Sequence, residues 1–467
     1  MPVERRAFLA TAGLTALAVV TGPARASRTA VPALPQRTPA SANGVRLDPR
    51  AFGAAGDGAT RDTAAIQQAL DRCAVFGGGA VVLAGGTFVS GSVRIGANTT
   101  LRIEAGATLL GSPDLADYPI GQVRWEGRWV PGHLGLVYAQ DAQGVRLAGK
   151  GNIVGSSAIP GRIAKTGLRN PPLLEFVAVR GLEVRDLVTQ QNDMWSIHPV
   201  YCEDATFSGL TVNGGADGID VDSCRRVEIR HCDFDTGDDC ISLKSGRGME
   251  GAMLARPTED VTIADCTFRD RHWACIGIGS ETSGGIRRVL VERCAFKSAR
   301  TFSIYIKSRP GRGAFIEDIM MRDLDVAGAG GGFLRLNFLD SGKKDPFPVA
   351  GLAGIPTVRN FTFEHVRVKD VPVLVEATNI HPDKPMTGFV LRDVTGTSGR
   401  GITLANMRAV MLDRIAVEIA SGPDIAIANV TGRGLDGAET LPSTPRPLPV
   451  AAPLQEYRLG MESGMNN

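Results

Sequence analysis

The sequence predicts an all-β protein: a single-domain parallel β-helix whose N-terminal end is covered by one helix. Short β-branched segments recur from Gly78 onward and are separated by Gly, Asn and Asp. Helical periodicity is confined to residues 62–74, which argues against an alternating strand and helix architecture. Gly is frequent, at 57 of 467 residues, and aromatic residues make up only 6%. This composition is typical of many tight turns around an aliphatic core.

The first predicted element is the helix at residues 62–74. Five of its apolar residues fall on one face: Ala65, Ile66, Ala69, Leu70 and Cys73. We expect this face to cover the end of the stack, where unpaired strand edges would otherwise aggregate. The β-helix domain is predicted at residues 47–437, after a linker at 27–46. Residues 438–467 are rich in Pro and are predicted to form a poorly ordered tail.

Residues 1–26 have the pattern of an export signal. Arg5 and Arg6 precede an apolar run from Leu9 to Val20, and Ala24-Arg25-Ala26 resembles a cleavage site. The run is too short for a stable membrane span, and the paired arginines favour the twin-arginine route, which exports folded proteins. An ordinary secretory signal is the alternative. We expect a mature protein that is periplasmic or extracellular and has no membrane segment.

The charge of the chain gives no reason to expect nucleic-acid binding. The whole chain carries +2. Its export signal holds three arginines and one glutamate, so the mature protein is close to neutral. A neutral protein has no broad basic field for nucleic acid. Affinity for an anionic polymer would have to come from a local patch.

The main evidence for the β-helix is an internal repeat. Two sets of short segments align at their apolar positions: 205–212, 227–234, 261–268 and 289–296 in the first set, and 218–221, 240–243, 275–278 and 303–306 in the second. One such unit cannot bury its apolar face alone, whereas stacked coils bury a continuous core. Each strand then pairs with its equivalents above and below. Weaker repeats continue to about Leu435.

The repeat also offers an interpretation of the eight cysteines. An even number in an exported protein favours disulfides. The repeat, however, places Cys232, Cys266 and Cys294 at one coil position and Cys240 and Cys275 at another. Equivalent positions lie about 4.8 Å apart along the stack. We favour ladders of free thiols acting as small apolar residues, with one or two disulfides as the alternative.

Three aspartates form the candidate catalytic group. Asp217 takes the same coil position as Asp239, and Asp238 is adjacent, so three carboxylates converge on one face. Like charges raise one another's pKa, which suits a group with one protonated and one ionised carboxyl. The Asp238-Asp239 pair alone could be a polar turn, but convergence on adjacent coils favours catalysis. Asp220 and Asp222 are nearby, either as supporting or as solvated residues.

Basic and aromatic residues around the aspartates are candidate substrate contacts. The basic side chains would suit a polymer that carries carboxylates, although they could be ordinary surface charge: Lys244, Arg247, Lys307, Arg309 and Arg312. Trp125 and Trp129 lie in a segment without regular pattern. They could stack on sugar rings or pack under a loop.

At these residues the chain resembles the polygalacturonase-type glycoside hydrolases of family 28. The resemblance extends from about Leu47 to at least Gly313. The matching motifs are Phe52-Gly53-Ala54-Ala55-Gly56-Asp57-Gly58, Asp62-Thr63-Ala64-Ala65-Ile66, Arg124-Trp125-Glu126-Gly127, Trp195-Ser196-Ile197-His198-Pro199-Val200-Tyr201-Cys202, Ala216-Asp217-Gly218-Ile219-Asp220, Gly237-Asp238-Asp239-Cys240-Ile241, Ile278-Gly279-Ser280-Glu281 and Pro310-Gly311-Arg312-Gly313.

The resemblance implies a right-handed, pectin-lyase-like solenoid that hydrolyses a pectin-like polysaccharide by single displacement with inversion. Asp238 would be the general acid, and Asp217 and Asp239 would hold and activate the water. No cofactor or metal is implied, and we expect a monomer. The expected substrate-binding residues are Lys307, Arg309, Lys244, Trp195, His198 and Trp125.

Two positions depart from the family pattern. The family's histidine is replaced by Ala274, with His272 displaced by two residues, and its arginine is replaced by Tyr305, with Arg309 as a candidate substitute. These changes leave the sugar and the linkage open. A lyase that uses a basic residue and calcium and a non-catalytic glycan-binding β-helix are the alternatives. The stacked aspartates favour hydrolysis.

Overall fold

The computed structural model of the protein describes residues 44–453 and 456–459. The predicted export signal at 1–26 lies outside the described residues, as do all but the last three residues of the predicted linker. In the part of the chain that is described, no helix has the length and apolar character needed to cross a membrane.

The chain winds into a parallel β-helix in which each strand pairs with its equivalents on the neighbouring coils. The stack has three faces. We call the face with the candidate site the cleft face; its separate strands are Val93–Arg94, Val137–Gln140, Leu174–Val177, Ile197–Val200, Ile219–Asp222, Ile241–Lys244, Ile276–Ile278, Phe302–Lys307 and Gly332–Asn337.

The other two faces follow the cleft face around each coil. The second face consists of Val45–Leu47, Gly79–Leu83, Thr99–Ile103, Arg146–Gly149, Arg180–Arg185, Glu203–Ser208, Arg225–Arg230 and Thr258–Ala264. The third face consists of Asp57–Arg61, Gly86–Ser90, Ala107–Gly111, Asn152–Val154, Val188–Gln190, Thr211–Asn213, Asp233–Thr236 and Thr267–Asp270.

Towards the C-terminal end, single strands run through more than one face. They are Ile286–Ser298, Phe315–Ala327, Thr357–Asn379, Met386–Ile419 and Ile425–Arg433, followed by the short strand Glu439–Thr440. The remaining elements are the helices Thr63–Val75 and Gly248–Leu254, the 3₁₀ turns Pro49–Phe52, Leu115–Asp117 and Gly351–Gly354, and the antiparallel hairpin Ile120–Trp125 with Arg128–His133.

The strand register confirms the predicted repeat. Ile241 pairs with Ile219 on the preceding coil and with Ile276 on the following coil. Inward side chains therefore stack as ladders, which bury a continuous core. In one of them the ring of Phe268 lies 5.3 Å from Phe234. The ring of Phe296 follows at 5.1 Å on the next coil.

The cysteines form the predicted thiol ladders. All eight are free and buried. Cys266 contacts both Cys232 and Cys294 along the stack. Cys275 contacts Cys240, and burial raises the pKa of the Cys275 thiol well above its usual range. These side chains therefore act as small apolar core residues rather than as cross-links.

Both ends of the β-helix differ in detail from the predicted boundaries. The predicted helix forms at Thr63–Val75 with its five apolar residues buried. Val45–Leu47 already pairs with Gly79–Leu83, so the first strand includes the last two residues of the predicted linker. The described part of the predicted tail packs on the stack: Gly351 donates to the carbonyl of Val450 over 3.0 Å. A Pro-rich segment can follow a surface in extended form without donating to a ladder.

Candidate active site

The candidate aspartates precede two neighbouring strands of the cleft face. The register of Ile219–Asp222 with Ile241–Lys244 puts Asp217 and Asp239 at equivalent positions on adjacent coils. The backbone N–H of Gly218 donates to the carbonyl of Asp239 over 3.0 Å, which fixes the two loops against each other. The structure thus brings the predicted carboxylates together on one face.

Glycines permit this close approach. A Cβ atom at Gly237 would lie 2.0 Å from the carbonyl oxygen of Gly215 on the preceding coil. A Cβ atom at Gly277 would lie 2.2 Å from Oδ2 of Asp239. The carboxylate of Asp239 therefore occupies space that any side chain at position 277 would take.

Two buried lysines lie between the carboxylates. Nζ of Lys244 is 2.5 Å from Asp220 and 3.3 Å from Asp217. Nζ of Lys307 is 3.0 Å from Asp239. The two lysine side chains are only 8% and 11% exposed, so each needs its carboxylate partner to offset the loss of hydration. Both predicted lysines contact the candidate group, and Asp220 belongs to it as well.

An arginine that the sequence analysis missed holds Asp238. Nη2 of Arg162 is 2.5 Å from Oδ2 of Asp238 and 3.5 Å from Oδ1 of Asp217. Arg162 comes from the segment between the strands Asn152–Val154 and Leu174–Val177, which has no counterpart in the repeats. A contact between residues 76 positions apart leaves no local pattern in the sequence.

The surroundings give the carboxyls different proton affinities. Burial raises the pKa of Asp217, and it raises the pKa of Asp239 to about 7. Burial and the neighbouring Asp217 raise the pKa of Asp220 well above its usual range. Burial acts in the same direction on Asp238, but the guanidinium of Arg162 outweighs it and holds the pKa of that carboxyl below its usual range. Without ligand, Asp238 is therefore the ionised member.

An aromatic wall lies beside Lys307. The rings of Trp273 and Tyr305 stack 6.1 Å apart, and Nζ of Lys307 is 5.5 Å and 5.3 Å from their centroids. Trp273 is 40% exposed, whereas Tyr305 and Ala274 are buried. Tyr305 thus stands where the resemblance leads one to expect an arginine, and Trp273 precedes Ala274, which stands where a histidine is expected. A ring next to a cation can bind both the face and the polar groups of a sugar.

Three predicted substrate-binding residues are buried below the cleft. The exposed fraction of His198 is 0%, that of Trp195 is 2% and that of Trp125 is 9%. Trp125 lies in a regular hairpin and stacks on Trp195 at 4.9 Å. The ring of Trp195 in turn lies 4.2 Å from Nζ of Lys244. The prediction of direct substrate contact is not met by these side chains, which instead support Lys244 from below.

A buried ion network fixes this floor. Arg169 lies 2.7 Å from Glu175. Burial alone would raise the pKa of Glu175, but the charge of Arg169 outweighs it, and the pKa is lowered to about 2. Nδ1 of His198 is 3.6 Å from the same carboxylate, but burial lowers the pKa of His198. Nearby, Arg124 lies 2.9 Å from Asp222. Asp222 is therefore a supporting residue and not a solvated one.

The other predicted cations lie further from the aspartates. Arg309 donates to the carbonyl of Gly342, in the loop after the strand Gly332–Asn337. Its predicted role as a substitute for the missing arginine is not supported by this contact. Arg247 and Arg312 are both buried against Asp345. Within the described residues, no three His, Cys, Asp or Glu side chains are arranged as metal ligands.

Known proteins are similar to this chain in sequence and in architecture. Residues 84–333 match the family described as "Glycosyl hydrolases family 28". A "Probable polygalacturonase" of Vitis vinifera is 27% identical over 74% of this chain and 72% of the relative. An "Exo-poly-alpha-D-galacturonosidase" of Dickeya chrysanthemi is 24% identical over 73% of this chain, and the match covers 64% of that relative. An exopolygalacturonase structure from Thermotoga maritima, 22% identical, aligns with a TM-score of 0.69 over 81% of this chain and 93% of its own. This last likeness supports the predicted right-handed β-helix.

Proposed function

This chain belongs to family 28 of the glycosyl hydrolases, and we propose that it hydrolyses a galacturonate-containing polysaccharide with inversion at the aspartates of the cleft face. The observation that carries this proposal is the stacking of Asp217 and Asp239 on adjacent coils with Asp238 beside them. Relatives named as polygalacturonases support the choice of substrate. So do the cations that flank the aspartates.

The reaction needs one carboxyl group to protonate the leaving oxygen and another to take a proton from the attacking water. Asp238 donates its proton to the glycosidic oxygen as the bond to the anomeric carbon breaks. Asp217 and Asp239 stand one coil spacing apart, about 4.8 Å, so both can accept hydrogen bonds from one water. One of them takes a proton from that water as its oxygen attacks from the opposite side of the ring. Attack and departure on opposite faces give inversion.

The pKa of Asp239 suits the water-activating role. A base works best when its pKa lies near the working pH, and burial brings the pKa of Asp239 to about 7. Lys307, 3.0 Å away, favours the ionised form of Asp239 before the reaction. The base therefore becomes available as the pH rises towards neutrality.

The test is hydrolysis by the mature protein of polygalacturonate, rhamnogalacturonan, xylogalacturonan and neutral glycans. New reducing ends and near-ultraviolet absorbance are followed together. We expect reducing ends without absorbance on a galacturonate-containing substrate. Asp238→Asn should lower the rate by roughly 10²- to 10⁴-fold, the usual contribution of a general acid. Asp265→Asn, at a half-buried turn where Asp265 pairs with Arg293, is the matched control and should keep the wild-type rate.

Other outcomes identify other functions. Absorbance that rises with the reaction and disappears with a chelator would make the protein a lyase. Binding of the glycans without cleavage, unchanged in Asp238→Asn, would make it a non-catalytic scaffold. Hydrolysis restricted to neutral glycans would contradict the proposed substrate while leaving the chemistry in place.

A further inference from the structure

The ion pair between Arg162 and Asp238 conflicts with the role of Asp238 as an acid. A general acid must carry a proton when substrate is bound. In the ligand-free structure the guanidinium lies 2.5 Å from Asp238 and reaches Asp217 at 3.5 Å. Such a charge-assisted bond stabilises the carboxylate and opposes protonation. Something must break this pair before the reaction.

Arg162 is the cation of the site that a ligand can reach. Its side chain is 37% exposed, compared with 8% for Lys244 and 11% for Lys307. Its segment is anchored at its base: Asn170 donates to the carbonyl of Gly161 over 3.0 Å, and Gly161 donates to Asp193 over 3.2 Å. The long side chain can therefore change partner while its backbone stays in place. A guanidinium with five donors suits a planar carboxylate.

We propose that Arg162 binds the acidic group of the sugar next to the scissile bond, and that its transfer from Asp238 to the substrate lets Asp238 take up the proton that it later donates. This inference rests on the proposed function and specifies how the same site recognises an acidic substrate. Arg162 thereby supplies an accessible arginine to the site, although Tyr305 stands at the position where the family has its arginine. Neutral sugars lack the group that would release Asp238.

The charge around Asp238 favours proton uptake once Arg162 has left. The groups that face it are Arg162, Lys307, Asp217, Asp239 and Asp270. Without the guanidinium, one cation remains against three carboxyl groups. The carboxylate of Asp238 then binds one proton from solvent, and the substrate carboxylate takes its place on Arg162. No electron transfer or further reactant is needed.

The first experiment compares pH profiles on an oligogalacturonate and on its methyl ester. The profile of kcat/KM reports ionisations of the free enzyme, and that of kcat reports those of the complex. In the free enzyme the pKa of Asp238 lies below that of Asp239, so the acid limb of the profile reports Asp238. In the wild type on the acidic substrate, we therefore expect the acid limb of kcat to lie at least about one pH unit above that of kcat/KM. In Arg162→Ala the two limbs should coincide, because Asp238 is no longer paired beforehand. Coinciding limbs in the wild type, or separated limbs in Arg162→Ala, would overturn the proposal.

The second readout separates recognition from a structural role. Arg162→Ala should raise KM for the acidic substrate roughly tenfold to a hundredfold, the usual value of a bond to a charged group, with a smaller change in kcat. KM for the methyl ester should stay nearly constant, and Arg162→Lys should recover part of the preference. Arg226→Ala, which breaks an exposed pair with Asp204, should behave as wild type. An equal loss of kcat on both substrates would show a merely structural arginine and contradict the proposal.

Binding of free D-galacturonate distinguishes failure of this inference from failure of the proposed function. Calorimetry in buffers of different ionisation enthalpy measures proton uptake, which we expect for the wild type and not for Asp238→Asn. Uptake by a protein that hydrolyses no glycan would contradict the proposed function but keep the role of Arg162. Hydrolysis of galacturonate polymers together with equal galacturonate binding by wild type and Arg162→Ala would support the proposed function but contradict the role of Arg162.

Discussion

Asp239 is the carboxyl whose proton affinity depends on opposing neighbours at close range. Burial raises its pKa to about 7, Lys307 opposes this increase, and Asp238 and Asp217 add to it. Lys307 is itself buried, and its pKa is raised, against the effect of burial, by its bond to Asp239. Each partner therefore stabilises the charged form of the other. The pH at which the site becomes active should follow this pair.

Replacing Lys307 by methionine should shift the alkaline limb of kcat/KM upward. Methionine keeps much of the length but removes the cation, so the pKa of Asp239 should rise above its present value of about 7. Because Asp238 loses its proton at lower pH than Asp239 in the free enzyme, Asp239 sets the alkaline limb of kcat/KM. That limb should move up by about one pH unit or more. The measurement is the pH profile of kcat/KM, with the exposed Lys369→Met as control. An unmoved alkaline limb would mean that Asp239 is not the base.

The residues of the site could be predicted only where they follow the repeat. Asp217 and Asp239 align because they occupy one coil position, and the structure keeps that alignment. Trp195 and His198 were expected to contact substrate only because of the family resemblance. Both are buried in the structure, and Trp125 of the hairpin stacks on Trp195. Arg162 lies outside the repeat, so no sequence pattern could place it.

Each coil turns between faces at a residue with left-handed backbone geometry. Asp204, Arg226, Asp260 and Arg288 all have φ between 53° and 58°. Arg226 pairs with Asp204, and Arg288 pairs with Asp260. This conformation is unfavourable for most residues, although Asp adopts it more readily. These residues lie one position before the aligned segments of the repeat, and their pairs of opposite charge support the same register.

The phenylalanine ladder should contribute strongly to the stability of the stack. The ring of Phe268 is fully buried between Phe234 and Phe296. Phe268→Ala should lower the free energy of unfolding by about 3–5 kcal/mol, because it leaves a cavity in a core that cannot collapse. Phe76→Ala is the control: its side chain is 54% exposed, and its effect should stay within about 0.5 kcal/mol. Chemical denaturation measures both. A Phe268→Ala loss as small as that of the control would mean that the coils tolerate gaps.

At the scale of the molecule, the sequence predicted the stack better than its ends. Coil period, inward ladders and the covering helix follow from patterns that repeat or alternate. The ends depend on single contacts such as that between Val45–Leu47 and Gly79–Leu83. Arg446 likewise pairs with Asp383, 63 residues away. These contacts do not repeat along the chain and join segments without periodicity. Only the composition of the two ends could therefore be interpreted, and it suggested a linker and a tail.

We propose that the chain is exported after folding, by the twin-arginine route. The mature domain buries eight free thiols, and a protein that folds before export keeps these thiols inaccessible to oxidants. Replacing Arg5 and Arg6 together by lysine should therefore stop export and leave folded, active precursor inside the cell. Fractionation with an activity assay measures this, and Arg25→Lys, near the expected cleavage site, is the matched control. Continued export of the double variant would favour the ordinary secretory route, in which the chain crosses unfolded and its thiols meet oxidants before they are buried.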